Sequence, residues 1–285
     1  MRLLILGGTA FVGRAIVAGA LRTGADVTLF GRGRTGTELF PGVPRLIGDR
    51  DTGDYTALRT GTWDAVVDVS GYVPRHVGQA MGALGDRVGR YLFISSNAVF
   101  DPTGSARRPP RRDTEERRGD SYGPLKVACE DDVLARYGSR ATIVRPGQVV
   151  GPHDPHGTLT YWVRRAAQGG RVELPGQPEQ PVQVLDARDL GRLVVQLLLD
   201  DRDGAYTAVG PAEPTTMAGL VATCARVAGT TVEVVPVRSK ARAPLVRPAP
   251  EWPSQRRDPA PARAAGMPAT PLAATVADVL ASLAR

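Results

Sequence analysis

Short runs of consecutive apolar residues alternate along this chain with longer stretches in which apolar positions recur every three to four residues, and this predicts strands and helices in turn. Leu3, Leu4, Ile5 and Leu6 form the first run, which suits a parallel strand covered on both faces. A helix over 11–22 follows, closed by Gly24. Strands are then expected at 26–30, 43–48, 63–69 and 90–96, with a helix over 74–84 between the last two. The order predicts a doubly wound parallel sheet, an α/β fold of the Rossmann kind.

Residues 101–120 break the pattern with paired prolines and paired arginines, so they read as a surface loop. A helix over 121–137, a strand over 141–145, a turn-rich loop over 151–157 and a helix over 159–168 come next. A strand over 182–185, a helix over 187–199 and a strand over 205–209 would complete the main sheet. Beyond Pro211 the pattern fits a smaller lobe: a helix over 217–227, a strand over 232–237, a proline-rich connection and a helix over 272–283. The expected division is a dinucleotide-binding domain of residues 1–150 and 182–210, with a substrate-binding lobe of 151–181 and 211–285.

Composition narrows the class. The formal charge is +7, yet the basic residues are almost all arginine, and Lys126 and Lys240 are the only lysines. That bias, with abundant Ala, Gly and Pro, reads as a coding background, so nucleic acid is not an expected partner. Two cysteines, Cys129 and Cys224, cannot form a disulfide framework, and no apolar run has the length of a membrane span. A cytoplasmic protein is expected. His76, His153 and His156 show no metal-ligand spacing, so no metal is assigned.

The glycine-rich turn after the first strand carries the first chemistry. Gly7 can adopt dihedrals closed to other residues, Gly8 is expected to let backbone approach a pyrophosphate, and Gly13 to let the helix pack closely on the strand. The helix N-terminus then offers unpaired N–H groups to phosphate. Tyr122 and Lys126 supply the second element, because a spacing of four places both on one helix face. A neighbouring ammonium is expected to lower the phenol toward the range useful for acid–base work. Ser95 and Ser96, at the carboxyl end of the fifth strand, would face the same crevice.

These motifs, Gly7-Gly-Thr-Ala-Phe-Val-Gly13, Phe93-Ile-Ser-Ser-Asn-Ala-Val-Phe100, Tyr122-x-x-x-Lys126 and Arg145-Pro146, resemble in kind and order those of the extended short-chain dehydrogenases/reductases, the NAD-dependent epimerase/dehydratase family, in its GGTxFxG subgroup. The resemblance runs to about Val209. It implies that Ser96 orients substrate, that Tyr122 is the acid/base, and that Lys126 lowers its pKa and holds the nicotinamide ribose. It further implies cofactor contacts at Gly7, Gly8, Thr9, Ala10, Phe11, Val12 and Gly13, at Asp49 beside adenine, and at Ser70, Gly71 and Tyr72. Two departures count against nucleotide-sugar dehydration: Phe100-Asp101 stands where the family has Tyr-Gly, and Asn97-Ala98 replaces the dehydratases' acidic pair.

The expected activity is hydride transfer between a nicotinamide and a carbonyl or secondary alcohol of a small polar molecule. A nucleotide-sugar epimerase using transient oxidation is the alternative within the class, and a redox-inactive nucleotide- or RNA-binding protein is the alternative outside it. Cofactor choice turns on the end of the second strand, where Gly31 leaves room and Arg32 and Arg34 can hold a 2′-phosphate, so NADP(H) is favoured over NAD(H). Asn97, His153 and Tyr161 are the candidate substrate contacts, a solvated loop is expected for the arginines between 107 and 118, and the assembly is left open, a homodimer among the options.

Overall fold

The structure, a computed structural model, describes residues 1–104, 106–239 and 242–284; Lys240 lies outside the described residues. In chain order the strands are β1 (Arg2–Leu6), β2 (Asp26–Gly31), β3 (Arg45–Ile47), β4 (Trp63–Asp68), β5 (Val88–Ile94), β6 (Ala141–Pro146), β7 (Gln148–Val150), β8 (Gly170–Leu174), β9 (Pro181–Val182), β10 (Val184–Asp186), β11 (Gly204–Ala208), β12 (Thr215–Thr216) and β13 (Val232–Pro236). The helices are α1 (Phe11–Arg22), α2 (Pro74–Leu84), α3 (Tyr122–Tyr137), α4 (Thr158–Ala167), α5 (Ala187–Leu199), α6 (Met217–Ala228), α7 (Ala260–Ala264) and α8 (Leu272–Leu283).

Seven strands form one parallel sheet in the order β11-β6-β5-β4-β1-β2-β3, a Rossmann-like α/β fold. Leu3 and Ile5 of β1 enter the core beneath α1 and α5, whereas Leu4 and Leu6 enter the opposite core with α2 and α3. All four are fully buried, which explains the unbroken apolar run and stabilises the fold by about 1.5–3 kcal/mol per side chain. The chain leaves β1 in one direction to β2 and β3 and in the other to β4, β5 and β6. The crevice at the carboxyl edge between β1 and β4 is therefore the switch point where such sheets bind ligands.

A separate core gathers Leu159, Trp162, Leu174, Leu220, Val276 and Val279 from α4, β8, α6 and α8. Residues 260–267 do not stay in it, since Ala262, Ala265 and Met267 return to the core of the main sheet. The strand expected over 182–185 is broken. Val182 pairs with Thr215, whereas Val184 pairs with Gln148, because buried Gln183 turns its amide toward the Pro211 and Arg257 carbonyls. Asp189 is structural, accepting hydrogen bonds from the Thr270 N–H and hydroxyl at 2.7 Å each. Both cysteines are free and buried, and burial pushes each thiol up to about 12.

Candidate active site

The turn from β1 into α1 is shaped by contacts that only glycine permits. Gly7 has φ +95°, and a Cβ there would stand 2.8 Å from the Ser70 Cβ. A Cβ on Gly13 would fall 2.0 Å from the Gly7 carbonyl oxygen, so α1 can begin this close to the strand only without one. Gly8 has a second reason to be glycine, because a Cβ there would meet Leu29 and Val17 side chains at 2.7 and 2.8 Å. Its lack of a side chain serves packing beneath the turn. Helix α1 has no side-chain N-cap and no acid in its first turn, so its positive end is left for an anion.

One cavity of about 570 Å³ runs from this turn in both directions, within the size range of small-molecule sites. Toward the β2 edge it is lined by Gly31, Arg32, Arg34, Asp49 and Asp51, and toward the β5 edge by Ser70, Tyr72, Ser96, Tyr122 and Lys126. All seven residues of 7–13 line its middle. The glycine cradle, the uncapped helix start and a lining drawn from both the β2 end and the β5 end fit a dinucleotide. Gly71 is not part of the wall. Its carbonyl instead accepts from Lys126.

At the β2 end, Gly31 has nothing within 4 Å of where a Cβ would stand. Arg32 lies 3.9 Å from Asp51, and Arg34 lies 3.9 Å from Asp49. Three residues the sequence did not single out for this wall are Asp51, His76 and Arg117. Arg117 donates to Asp51 at 2.6 Å and holds its carboxyl below the usual carboxylate range. His76 is buried beside Asp51, and burial together with the guanidinium groups of Arg117, Arg50 and Arg75 pushes it down to about 4. The signal for Asp51 was the charged run Asp49-Arg50-Asp51 after Gly48; the ion pair to Arg117 crosses 66 positions and has no local sequence trace.

At the other end, the Ser96 hydroxyl accepts from the Ala98 N–H at 3.2 Å, capping the short turn Asn97–Val99, and also lies against the Tyr122 phenol. Burial pushes the phenol up to about 12, with Ser96 pulling the other way. The expected lowering by Lys126 is absent, because the ammonium is turned elsewhere. Its Nζ donates to the Gly71 and Ile94 carbonyls at 2.7 and 2.8 Å and stands 4.4 Å from the Phe93 ring centroid. Burial lowers Lys126 itself to about 8.

The candidate substrate contacts stand outside the cavity wall. Asn97 opens the turn after Ser96, with its amide near Gly147. His153 sits in the loop over 151–157 at φ +68°, and the neighbours that line the cavity are Asp154, Pro155, His156 and Thr158. Tyr161 is exposed because α4 turns Leu159, Trp162, Val163 and Ala166 inward. Phe100 is flanked by the guanidinium groups of Arg145 and Arg257, 5.1 and 4.6 Å from its ring centroid.

The arginine-rich loop is largely exposed, as the solvated reading expects, and ion pairs fasten it to the surface. Arg107 pairs with Glu130 and Asp131, Arg112 with Asp132, and Arg117 with Asp51. Among the described residues no group of histidines, cysteines and carboxylates could hold a metal.

A doubly wound parallel sheet with a glycine cradle at its switch point defines a dinucleotide-binding α/β protein. Residues 62–209, just over half of the chain, match the NAD dependent epimerase/dehydratase family, and the chain belongs to that family. Its members are NAD(P)-dependent enzymes of the extended short-chain dehydrogenase/reductase type. A curated relative, the chloroplast stem-loop binding protein of 41 kDa b from Arabidopsis thaliana, is 23% identical over an alignment of 244 residues that covers 80% of this chain. The matched region spans only 63% of that relative's length. Among solved structures, UDP-glucose 4-epimerase from Thermus thermophilus in complex with NAD is 20% identical with a TM-score of 0.70, covering 100% of this chain and 99% of that one. RMD from Pseudomonas aeruginosa complexed with NADPH is likewise 20% identical, with a TM-score of 0.70 and coverage of 99% and 98%. No helix among the described residues is long and apolar enough to cross a membrane.

Proposed function

We propose that the chain is an NADP(H)-dependent oxidoreductase acting on a carbonyl or secondary alcohol of a small polar molecule, with residues 1–150 and 182–210 binding the cofactor. The observation that carries the reading is that Ser96, Tyr122 and Lys126 line the same cavity as the glycine turn, with Arg32 and Arg34 at its far end. When bound, the nicotinamide supplies or accepts the hydride. Ser96 donates a hydrogen bond to the substrate oxygen. Tyr122 passes its proton to that oxygen in the reductive direction, and a phenol pushed up to about 12 is held protonated at neutral pH for this step. Lys126 uses two N–H groups on backbone carbonyls, and the third would serve to hold a ribose hydroxyl of the bound cofactor. We assign the substrate side to the loop over 151–157 and the lobe beyond Pro211; the part of it that lines the cavity is Asp154, Pro155, His156 and Thr158.

Purified protein screened against carbonyl substrates, with NADPH absorbance followed, is expected to turn over at least one of them, and Tyr122→Phe to abolish that turnover while leaving NADPH affinity within a few fold. Wild-type turnover in Tyr122→Phe would overturn the acid assignment. The likeness to UDP-glucose 4-epimerase favours a second reading, transient oxidation with a retained cofactor, which predicts that cofactor co-purifies with the protein. The stem-loop binding relative raises RNA binding without redox turnover, which predicts salt-dependent RNA affinity and no active carbonyl.

A further inference from the structure

Asp51 lies on the cavity wall between two guanidinium groups that come from segments far apart in the sequence. Arg32 approaches one carboxylate oxygen at 3.9 Å from the end of β2, and Arg117 donates to the other at 2.6 Å from the loop that precedes Tyr122. All three line the cavity. Two arginines spanning one carboxylate are spaced to span a phosphate, whose oxygens offer similar acceptor geometry and more charge.

Arg117 is held in place independently of Asp51. Two residues earlier, Glu115 accepts from Arg75 of α2 at 2.5 and 2.9 Å, and the Arg117 guanidinium lies 5.9 Å from the centroid of the Tyr72 ring. Asp51 is half exposed and leads into a turn at Gly53, φ +80°, so its side chain has solvent to move into. Counting the charged side chains named at this end, Arg32, Arg34 and Arg117 outnumber Asp49 and Asp51.

We propose that Arg117 is a second specificity-determining residue for the cofactor's 2′-phosphate, gripping it jointly with Arg32, and that Asp51 occupies this grip until the phosphate displaces it. The inference rests on the NADP(H) reading above and deepens it. It assigns a cofactor-binding role to the loop before Tyr122, which the glycine turn and the β2 strand end do not indicate.

The test is calorimetric binding of 2′,5′-ADP and 5′-AMP to the apoprotein, repeated with NADPH and NADH. Wild type is expected to prefer 2′,5′-ADP, and Arg117→Ala to lose roughly 10- to 100-fold in affinity for it while 5′-AMP changes little. Arg32→Ala should act alike, and the double variant should lose less than the two losses combined. Asp51→Asn should tighten 2′,5′-ADP. A wild type that prefers 2′,5′-ADP and an Arg117→Ala variant that keeps the full preference overturn the role of Arg117 alone. So does an equal loss for both probes. A wild type with no preference overturns this proposal and the NADP(H) reading together.

Discussion

The Lys126 ammonium donates to the Gly71 carbonyl at 2.7 Å, joining α3 to the loop after β4 across 55 positions of sequence. This contact and the one to Ile94 fix the ammonium above the Phe93 ring. A guanidinium is planar and larger, and its fixed fork cannot place donors where the compact tetrahedral ammonium places them in this buried site. Lys126→Arg should therefore lose at least tenfold in cofactor affinity despite keeping its charge. Because burial lowers the folded ammonium from 10.5 to about 8, wild-type NADPH affinity should fall as pH rises through about 8. The same shift makes the buried charge destabilising below pH 8, a penalty relieved as pH rises toward 10.5. Fluorescence titration of NADPH from pH 7 to 10 checks wild type and variant alike, and a wild-type affinity that is flat across that range refutes the assignment.

Arg50 and Asp68 form a buried ion pair at 2.7 Å, and the Tyr91 hydroxyl donates to the second carboxylate oxygen at 2.7 Å. Their side chains are 9% and 0% exposed, so removing one partner strands a charge out of water. Asp68→Ala should lower stability by about 3–5 kcal/mol. Arg50→Met in the same chain should recover part of the loss, because it removes the stranded charge. Urea unfolding of the single and double variants decides this; a double variant no more stable than Asp68→Ala would show that the charge is not the cause.

The alternation of apolar runs made the main sheet legible, and the bounds of α1, α2, α5 and α8 fall where the pattern places them. What local pattern could not carry is pairing at a distance. Strands β7 and β8 are short and gain their identity from β10 and β13, far along the chain. At the site, the spacing of Tyr122 and Lys126 correctly put both on one wall of the cavity. The direction of the Lys126 ammonium depends on carbonyls of two other segments, which is why the phenol shift came out opposite to expectation. The grip on Asp51 was equally hidden, since Arg117 looked like one of several loop arginines.

His76 makes acid stability testable. It is buried at the cavity wall with Asp51, Arg50, Arg75 and Arg117 around it, and its pKa falls from 6.5 to about 4 on folding. The neutral ring is thus favoured by the fold, and the unfolded chain binds the extra proton between those two values. The stability it contributes is present above pH 6.5 and is lost as pH falls toward 4, on the order of 3 kcal/mol in all. His76→Gln should flatten that acid limb. Urea denaturation of apoprotein at pH 7, 6 and 5 measures it, and parallel curves for wild type and variant would rule His76 out as the source.

Gly31 ends β2 beside Arg32, and no atom lies within 4 Å of the point where its Cβ would be. Gly13 is the opposite case, with a Cβ position 2.0 Å from a carbonyl oxygen. A side chain at 31 should therefore be accommodated where one at 13 would dismantle the turn. Gly31→Asp places a carboxylate at the strand end that meets the adenine ribose in folds of this kind. There it accepts the ribose hydroxyls and repels a 2′-phosphate. It also competes for Arg32. The expected result is an unchanged thermal midpoint, NADPH affinity reduced by roughly tenfold or more, and NADH affinity equal to or better than wild type. If NADPH binds Gly31→Asp as tightly as wild type, the 2′-phosphate does not lie at this strand end and the role proposed for Arg32 fails.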